Sequence, residues 1–255
     1  MEAAGLGAFM ISAGVFGVVL EHPGSPVRDA IADPAVRRGL MGLAMGLTAV
    51  GIIYSPWGRR SGAHINPAVT LTFFRLGKVQ TWDAVFYVLA QFGGGLAGVG
   101  LVALAVGVPF AEPPVHYVVT LPGADGIPVA FTAEVAISFL LMLTILLATN
   151  SRSVARYTGL LAGLLVALYI AIEAPLSGMS MNPARTFASA LPARLWTALW
   201  LYFLAPPLGM LAAAELYTRL RGASRVVCAK LHHDHSSRCI FRCGYAAAAQ
   251  PGAPV

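Results

Sequence analysis

The sequence predicts an all-α membrane protein: six transmembrane helices plus two half-helices arranged as an inverted repeat. Three observations carry that prediction. The chain has 255 residues, of which 57% are hydrophobic and only 11% charged, with a mean hydropathy of +0.72, whereas soluble domains have about 25% charged residues. Its apolar residues gather into six runs of about 18 residues or more, each long enough to cross a hydrocarbon core of about 30 Å. One phrase also occurs twice, as Ser61-Gly62-Ala63-His64-Ile65-Asn66-Pro67-Ala68-Val69-Thr70 and as Ser177-Gly178-Met179-Ser180-Met181-Asn182-Pro183-Ala184-Arg185-Thr186.

The first span covers about residues 3 to 20; it begins almost at Met1 without a basic flank, so no cleaved signal peptide is expected and the start reads as slightly clipped. The second runs from about 38 to 55. Asn66 then supplies a favoured N-cap and Pro67 a tolerated first helical residue. A helix of about ten residues follows, ending near Arg75, Gly77 and Lys78; at about 1.5 Å per residue it crosses about half the bilayer. The third span covers about 82 to 108, and the Pro- and Gly-rich stretch 109–129, which lacks Lys and Arg, reads as a long external loop. The fourth and fifth spans cover about 130 to 149 and 157 to 174. A second half-helix starts at Asn182-Pro183 and ends near Pro192 and Arg194, and the sixth span covers about 196 to 219.

Three spans per half invert the second half relative to the first, so the two Asn-Pro-Ala phrases approach the midplane from opposite faces. The channel-forming part is read as residues 1–220, with repeat one at 1–108, repeat two at 130–220, and a basic Cys/His tail at 221–255. Glu2 and Glu134 occupy corresponding positions near the starts of spans one and four. Gly42 and Gly46, Gly94 and Gly98, and Gly159 and Gly163 are each four apart, a spacing that allows close helix packing in lipid.

Lys and Arg fix the orientation. One side holds Arg59, Arg60, Arg75, Lys78, Arg152, Arg156, Arg219, Arg221, Arg225, Lys230, Arg238 and Arg242; the other holds Arg28, Arg37, Arg38, Arg185 and Arg194. The richer side, which carries both termini, is expected to be cytoplasmic, and the setting a plasma (inner) membrane. The net charge of +6 is then an insertion signal plus a tail suited to anionic lipid, and nucleic acid is not an expected partner.

These residues resemble the aquaporin and glycerol-facilitator family, the major intrinsic proteins, in a bacterial type. The resemblance rests on the two ten-residue phrases, Glu2, Glu134 and the pair Ala90-Gln91, and spans about residues 1–220. It implies a passive channel for water and small uncharged solutes such as glycerol, with no cofactor, assembled as a homotetramer. Asn66 and Asn182 would cap their half-helices with their side-chain oxygens and offer N–H donors to the permeant. The half-helix dipoles would oppose cations and protons. The carbonyls of Gly62, Ala63 and His64 and of Gly178, Met179 and Ser180 would line the water path. Arg185 would face a polar lumen at the external constriction, with Ile170, Met179 and either Met45 or Gly46 beside it.

Strict water channels usually have His where this chain has Ile170, which favours a broader solute range. Glycerol-type channels usually follow the second motif with Asp, whereas Thr186 follows Arg185 here; with Ala190, Tyr202 and Phe203 this leans back toward water. The residues divide between the two patterns. His64 is expected in the cytoplasmic vestibule, as a lining residue or a pH-sensitive gate. Glu2 and Glu134 are expected to accept hydrogen bonds from the non-helical backbone before each half-helix, a proton relay being the alternative.

The tail gathers Cys228, His232, His233, His235, Cys239 and Cys243 within sixteen residues. Such a mix suits a soft or borderline cation such as zinc, although the spacing matches no standard finger and incidental Cys and His is the alternative. No disulfide is expected in a reducing cytoplasm, and residues 246–255 read as a disordered end. The competing function class is a secondary transporter, which also uses inverted repeats and broken helices; the spans hold few ionisable residues besides Glu2, Glu134 and Glu173 to bind a coupling ion. No nucleophile and base set or phosphate loop points to an enzyme.

Overall fold

The structure, a computed structural model, describes residues 1–233 and 239–244. His235 and the stretch 246–255 lie outside the described residues.

Among the described residues eight principal helices follow one another: α1 (Glu2–Glu21), α2 (Pro34–Tyr54), α3 (Pro67–Arg75), α4 (Thr81–Val106), α5 (Gly126–Thr149), α6 (Thr158–Ile172), α7 (Pro183–Ala193) and α8 (Leu199–Arg221). All but α3 and α7 are long and apolar enough to cross a membrane, α6 together with the 3-10 turn Ala155–Tyr157 that leads into it. Helix α2 starts earlier than hydropathy suggested, because the Asp33 carboxylate accepts the Ala35 N–H at 2.7 Å and Pro34 fills the first turn. Helix α8 starts at Leu199, after Ala198 turns through the left-handed region at φ 51°.

The packing repeats between the two halves. Helix α1 lies on α4, α5 lies on α8, and α2 meets α6 at the centre. Backbones touch at the small residues: a Cβ on Gly98 would fall 2.5 Å from the Gly7 carbonyl, one on Gly46 2.5 Å from the Gly163 carbonyl, and one on Gly209 2.3 Å from the Val135 carbonyl. In lipid, where apolar side chains gain little by leaving one another for the tails, such backbone contact is a main source of helix association. The outward faces carry exposed Leu43, Leu47, Phe86, Leu104 and Leu164, as a lipid-facing or subunit-facing surface requires.

Each half also contains a short helix before its half-helix, Pro56–Ser61 in one and Ala174–Ser177 in the other. Both end on a left-handed glycine, Gly62 at φ 92° and Gly178 at φ 77°. The following loops then alternate, with Ala63 and Ile65 at φ 53° and 42° and Met179 and Met181 at φ 52° and 54°. This conformation is unusual in non-glycine residues and needs firm external support.

The segment between α4 and α5 departs from a plain external loop. It forms a short helix at Val108–Ala111 and a 3-10 turn at His116–Val118, and it lowers Pro114, Val115, Val118 and Val119 into the central cavity. Val115 is buried beside Gly17 of α1, in the apolar cluster that also holds Phe110, and that burial favours the descent. The tail is not a detached appendage either. After Arg221 it folds back on the bundle, burying Val226, Cys228, Ala229, Lys230, Leu231 and Phe241.

Candidate functional site: a central cavity

A cavity of about 480 Å³ runs between the two halves. Its middle is set by the two half-helix N-termini. The Asn66 side-chain oxygen accepts the Ala68 N–H at 2.8 Å, and the Asn182 oxygen accepts those of Ala184 and Arg185 at 3.1 and 3.2 Å. Each amide nitrogen donates to the opposite half: Asn66 Nδ2 to the Met181 carbonyl at 2.7 Å, and Asn182 Nδ2 to the Ile65 carbonyl at 2.8 Å. Pro67 and Pro183 open the helices, and fully buried Ala68 and Ala184 allow the two ends to meet. Each half thereby pins the loop of the other.

The support for those loops comes from two carboxylates. Glu2 Oε1 accepts Ser61 Oγ at 2.7 Å and the His64 N–H at 3.2 Å; its Oε2 accepts the Ile65 N–H at 2.6 Å and Gln91 Nε2 at 2.8 Å. Glu134 Oε1 accepts Ser177 Oγ at 2.7 Å and the Ser180 N–H at 2.6 Å, while Oε2 accepts the Met181 N–H at 2.7 Å. Buried donors are satisfied at matched positions in both halves. Two tyrosines repeat the pattern: Tyr87 donates to the Ser61 carbonyl at 2.7 Å, and Tyr202 to the Ser177 carbonyl at 2.5 Å. Tyr87 was not singled out in the sequence, although its place in the third span mirrors that of Tyr202 in the sixth.

Ile170, Met179, Met45 and Arg185 all line the cavity. Gly46 does not: its hydrogens face the Gly163 carbonyl at the α2–α6 contact, because that crossing leaves no room for a side chain. Of the two candidates for the second-span position, Met45 is thus the lining residue. On the opposite face from the termini the wall adds Glu21, Arg38 and the descending Val115, Val118 and Val119, none anticipated from the sequence. Arg38 Nε donates to the Ala171 carbonyl at 2.9 Å, and Arg37 pairs with Glu21 at 3.1 Å.

Of the residues expected to supply lining carbonyls, one stands away from the cavity. Ala63, His64, Gly178, Met179 and Ser180 border the cavity, but Gly62 does not; its carbonyl accepts the Leu231 N–H at 3.1 Å. His64 is likewise taken up by the tail. Its Nε2 is 2.8 Å from the Ala229 carbonyl and its Nδ1 3.1 Å from Thr70 Oγ1, and its ring lies between those of Phe73 and Phe241. Leu231 reaches the cavity wall itself.

Farther along the tail, the ligand atoms of Cys228, His233, Cys239 and Cys243 lie within 4.8 Å of one another. The thiols are not joined, with Cys228 Sγ 3.6 Å from Cys239 Sγ. His232 stands apart from this group, edge-on to Tyr54 at 4.8 Å between ring centres. Burial raises the Cys228 thiol pKa, and Cys239 and Cys243 raise it further.

Six helices long enough to cross a membrane, around a cavity bounded by two opposed half-helices, define a membrane protein of the inverted-repeat, broken-helix class. Residues 6–217 match the profile of the major intrinsic proteins, and the chain belongs to that family. A probable aquaporin of NIP type from Nicotiana alata is 34% identical over 214 residues, or 83% of this chain and 76% of that one. The putative aquaporin NIP4-1 of Arabidopsis thaliana is 37% identical over 69% of this chain, and aquaporin NIP2-3 of Zea mays 39% identical over 70%. The chain spans 60% and 58% of the lengths of these last two relatives. All three are plant proteins, so they offer no counterpart to the bacterial type suggested by the resemblance. A crystal structure of the aquaglyceroporin from Plasmodium falciparum superposes with a TM-score of 0.66 at 20% identity, covering 86% of this chain and 93% of that one, and shares the fold.

Proposed function

We propose that the chain is a passive channel conducting water and small uncharged solutes such as glycerol, and excluding ions and protons. One observation carries the reading: Asn66 and Asn182 meet at mid-cavity with their oxygens committed to capping and one amide N–H each committed to the opposite loop. A primary amide has two donors, so each Asn retains one N–H for the cavity that both line. A water molecule there accepts from the protein and cannot pass a proton along the file. The positive ends of α3 and α7, together with Arg185, oppose cations. Apolar Ile170, Met179 and Met45 beside Arg185 lower the polarity of the passage and suit a solute that carries both hydroxyls and a hydrocarbon face.

The excess of Lys and Arg on the face bearing the termini supports a cytoplasmic location for both, in a plasma membrane. The exposed apolar outer faces are compatible with a homotetramer having one pore per subunit. Stopped-flow light scattering of proteoliposomes tests the reading. Water flux well above that of protein-free vesicles, followed by re-swelling in glycerol, is the expected result. Flux that requires a proton or sodium gradient would instead identify a secondary transporter.

A further inference from the structure

We propose that Cys228, His233, Cys239 and Cys243 bind a divalent ion of the zinc class, and that this ion holds the tail as a plug in the terminus-side mouth of the cavity. The site stands on its own geometry; the plug rests on the channel reading above. Three sulfurs and one imidazole are a donor set for a borderline-soft ion. Zinc with sulfur arms of about 2.3 Å places tetrahedral ligand atoms about 3.8 Å apart. The observed separations are 3.6 Å for Cys228 Sγ to Cys239 Sγ and 3.2 Å for His233 Nε2 to Cys243 Sγ, with every pair inside 4.8 Å. Small shifts close such a group on an ion, and the thiol protons leave to water as it binds.

The order of ligands along the chain links the site to the pore. Cys228 and His233 bracket Ala229 and Leu231, the residues that bond His64 and Gly62, and Leu231 also enters the cavity wall. Cys239 and Cys243 bracket Phe241, whose ring stacks 5.4 Å from that of His64 and covers Gly62. One ion would therefore staple the two short loops that carry all three plug residues. Among the described residues the tail is also held by the burial of Val226, Leu231 and Phe241 in the core and by bonds such as the Val227 N–H to Asn150 Oδ1 at 2.7 Å and the Arg242 N–H to the Lys78 carbonyl at 3.1 Å, to which the ion would add a link between the two loops. Removing the ion leaves two loops whose entropy of ordering is no longer offset by metal–ligand bonds.

The experiment begins with the purified full chain, reduced and stripped of metal, titrated with cobalt(II). Visible bands of tetrahedral, thiolate-bound cobalt saturating at one ion per chain, displaced by zinc and largely lost in Cys239→Ser and Cys243→Ser, are expected. A wild-type chain without those bands overturns the site, whatever its flux. The same protein in proteoliposomes is then compared with zinc bound and with zinc chelated. Chelation should raise water permeability severalfold, while Cys239→Ser should be fast and indifferent to zinc. Equal permeability with and without zinc, in a protein that shows the cobalt bands and conducts water, overturns the plug. If neither the chelated wild type nor Leu231→Ala conducts, the bands being intact, it is the channel reading that falls.

Discussion

Replacing Glu134 by Gln tests whether the carboxylate holds the second loop in its conducting shape. The side chain keeps its size, so no cavity forms, but one oxygen becomes an NH2 group. Oε1 now accepts Ser177 Oγ and the Ser180 N–H, and Oε2 accepts the Met181 N–H. A hydroxyl can rotate to accept from the new amide; a backbone N–H cannot. Whichever way the Gln is turned, either Ser180 or Met181 keeps a buried N–H facing another donor. An unsatisfied buried donor costs about 1–3 kcal/mol, and the surviving bonds lose their charge assistance. The damage is directed at the pore, because the Met181 carbonyl is the acceptor for Asn66 Nδ2. Glu134→Gln should thus lower unfolding free energy in detergent by about 1–3 kcal/mol and reduce water flux in the chelated protein. Glu2→Gln should behave alike, since Gln91 can flip its amide but His64 or Ile65 must still lose an acceptor. Wild-type stability together with wild-type flux in Glu134→Gln would refute the reasoning.

Gly46→Ala should reduce folded yield sharply, since its Cβ would fall 2.5 Å from a backbone carbonyl, whereas Gly51→Ala, with nothing within 4 Å, should leave yield unchanged; size-exclusion profiles report both. Asn182→Ala removes a cap worth about 0.5–2 kcal/mol and the bond to the Ile65 carbonyl, so it should lower both thermal stability and flux. Ile170→His adds a polar ring to the wall near Met179 and Arg185 and should depress glycerol re-swelling much more than water flux, as read by stopped-flow light scattering.

Much of this architecture was legible in the chain itself. Hydropathy located the six spans because lipid imposes one length and one composition on any helix that crosses it. The half-helix starts were fixed by local chemistry: an Asn that caps and a Pro that fits only the first turn need no distant partner. Repetition of one phrase in two halves of odd span number gave the inversion. Glu2 and Glu134 were visible as carboxylates out of place in apolar runs.

What the sequence left open depends on contacts between residues far apart in the chain. Whether Met45 or Gly46 faces the cavity is a question of helix rotation, and it was decided by the close α2–α6 crossing at Gly163. Tyr87 and Tyr202 become matched supports only when the third and sixth spans bring them to the Ser61 and Ser177 carbonyls. The loop after α4 enters the cavity because Val115 finds an apolar site beside Gly17 of α1, in the cluster that holds Phe110. The tail was readable as a group of soft ligands, but its spacing gave no destination. Local periodicity and capping are written in neighbouring residues, whereas the seating of Leu231 and Phe241 beside His64 follows from burial that exists only once the bundle has assembled.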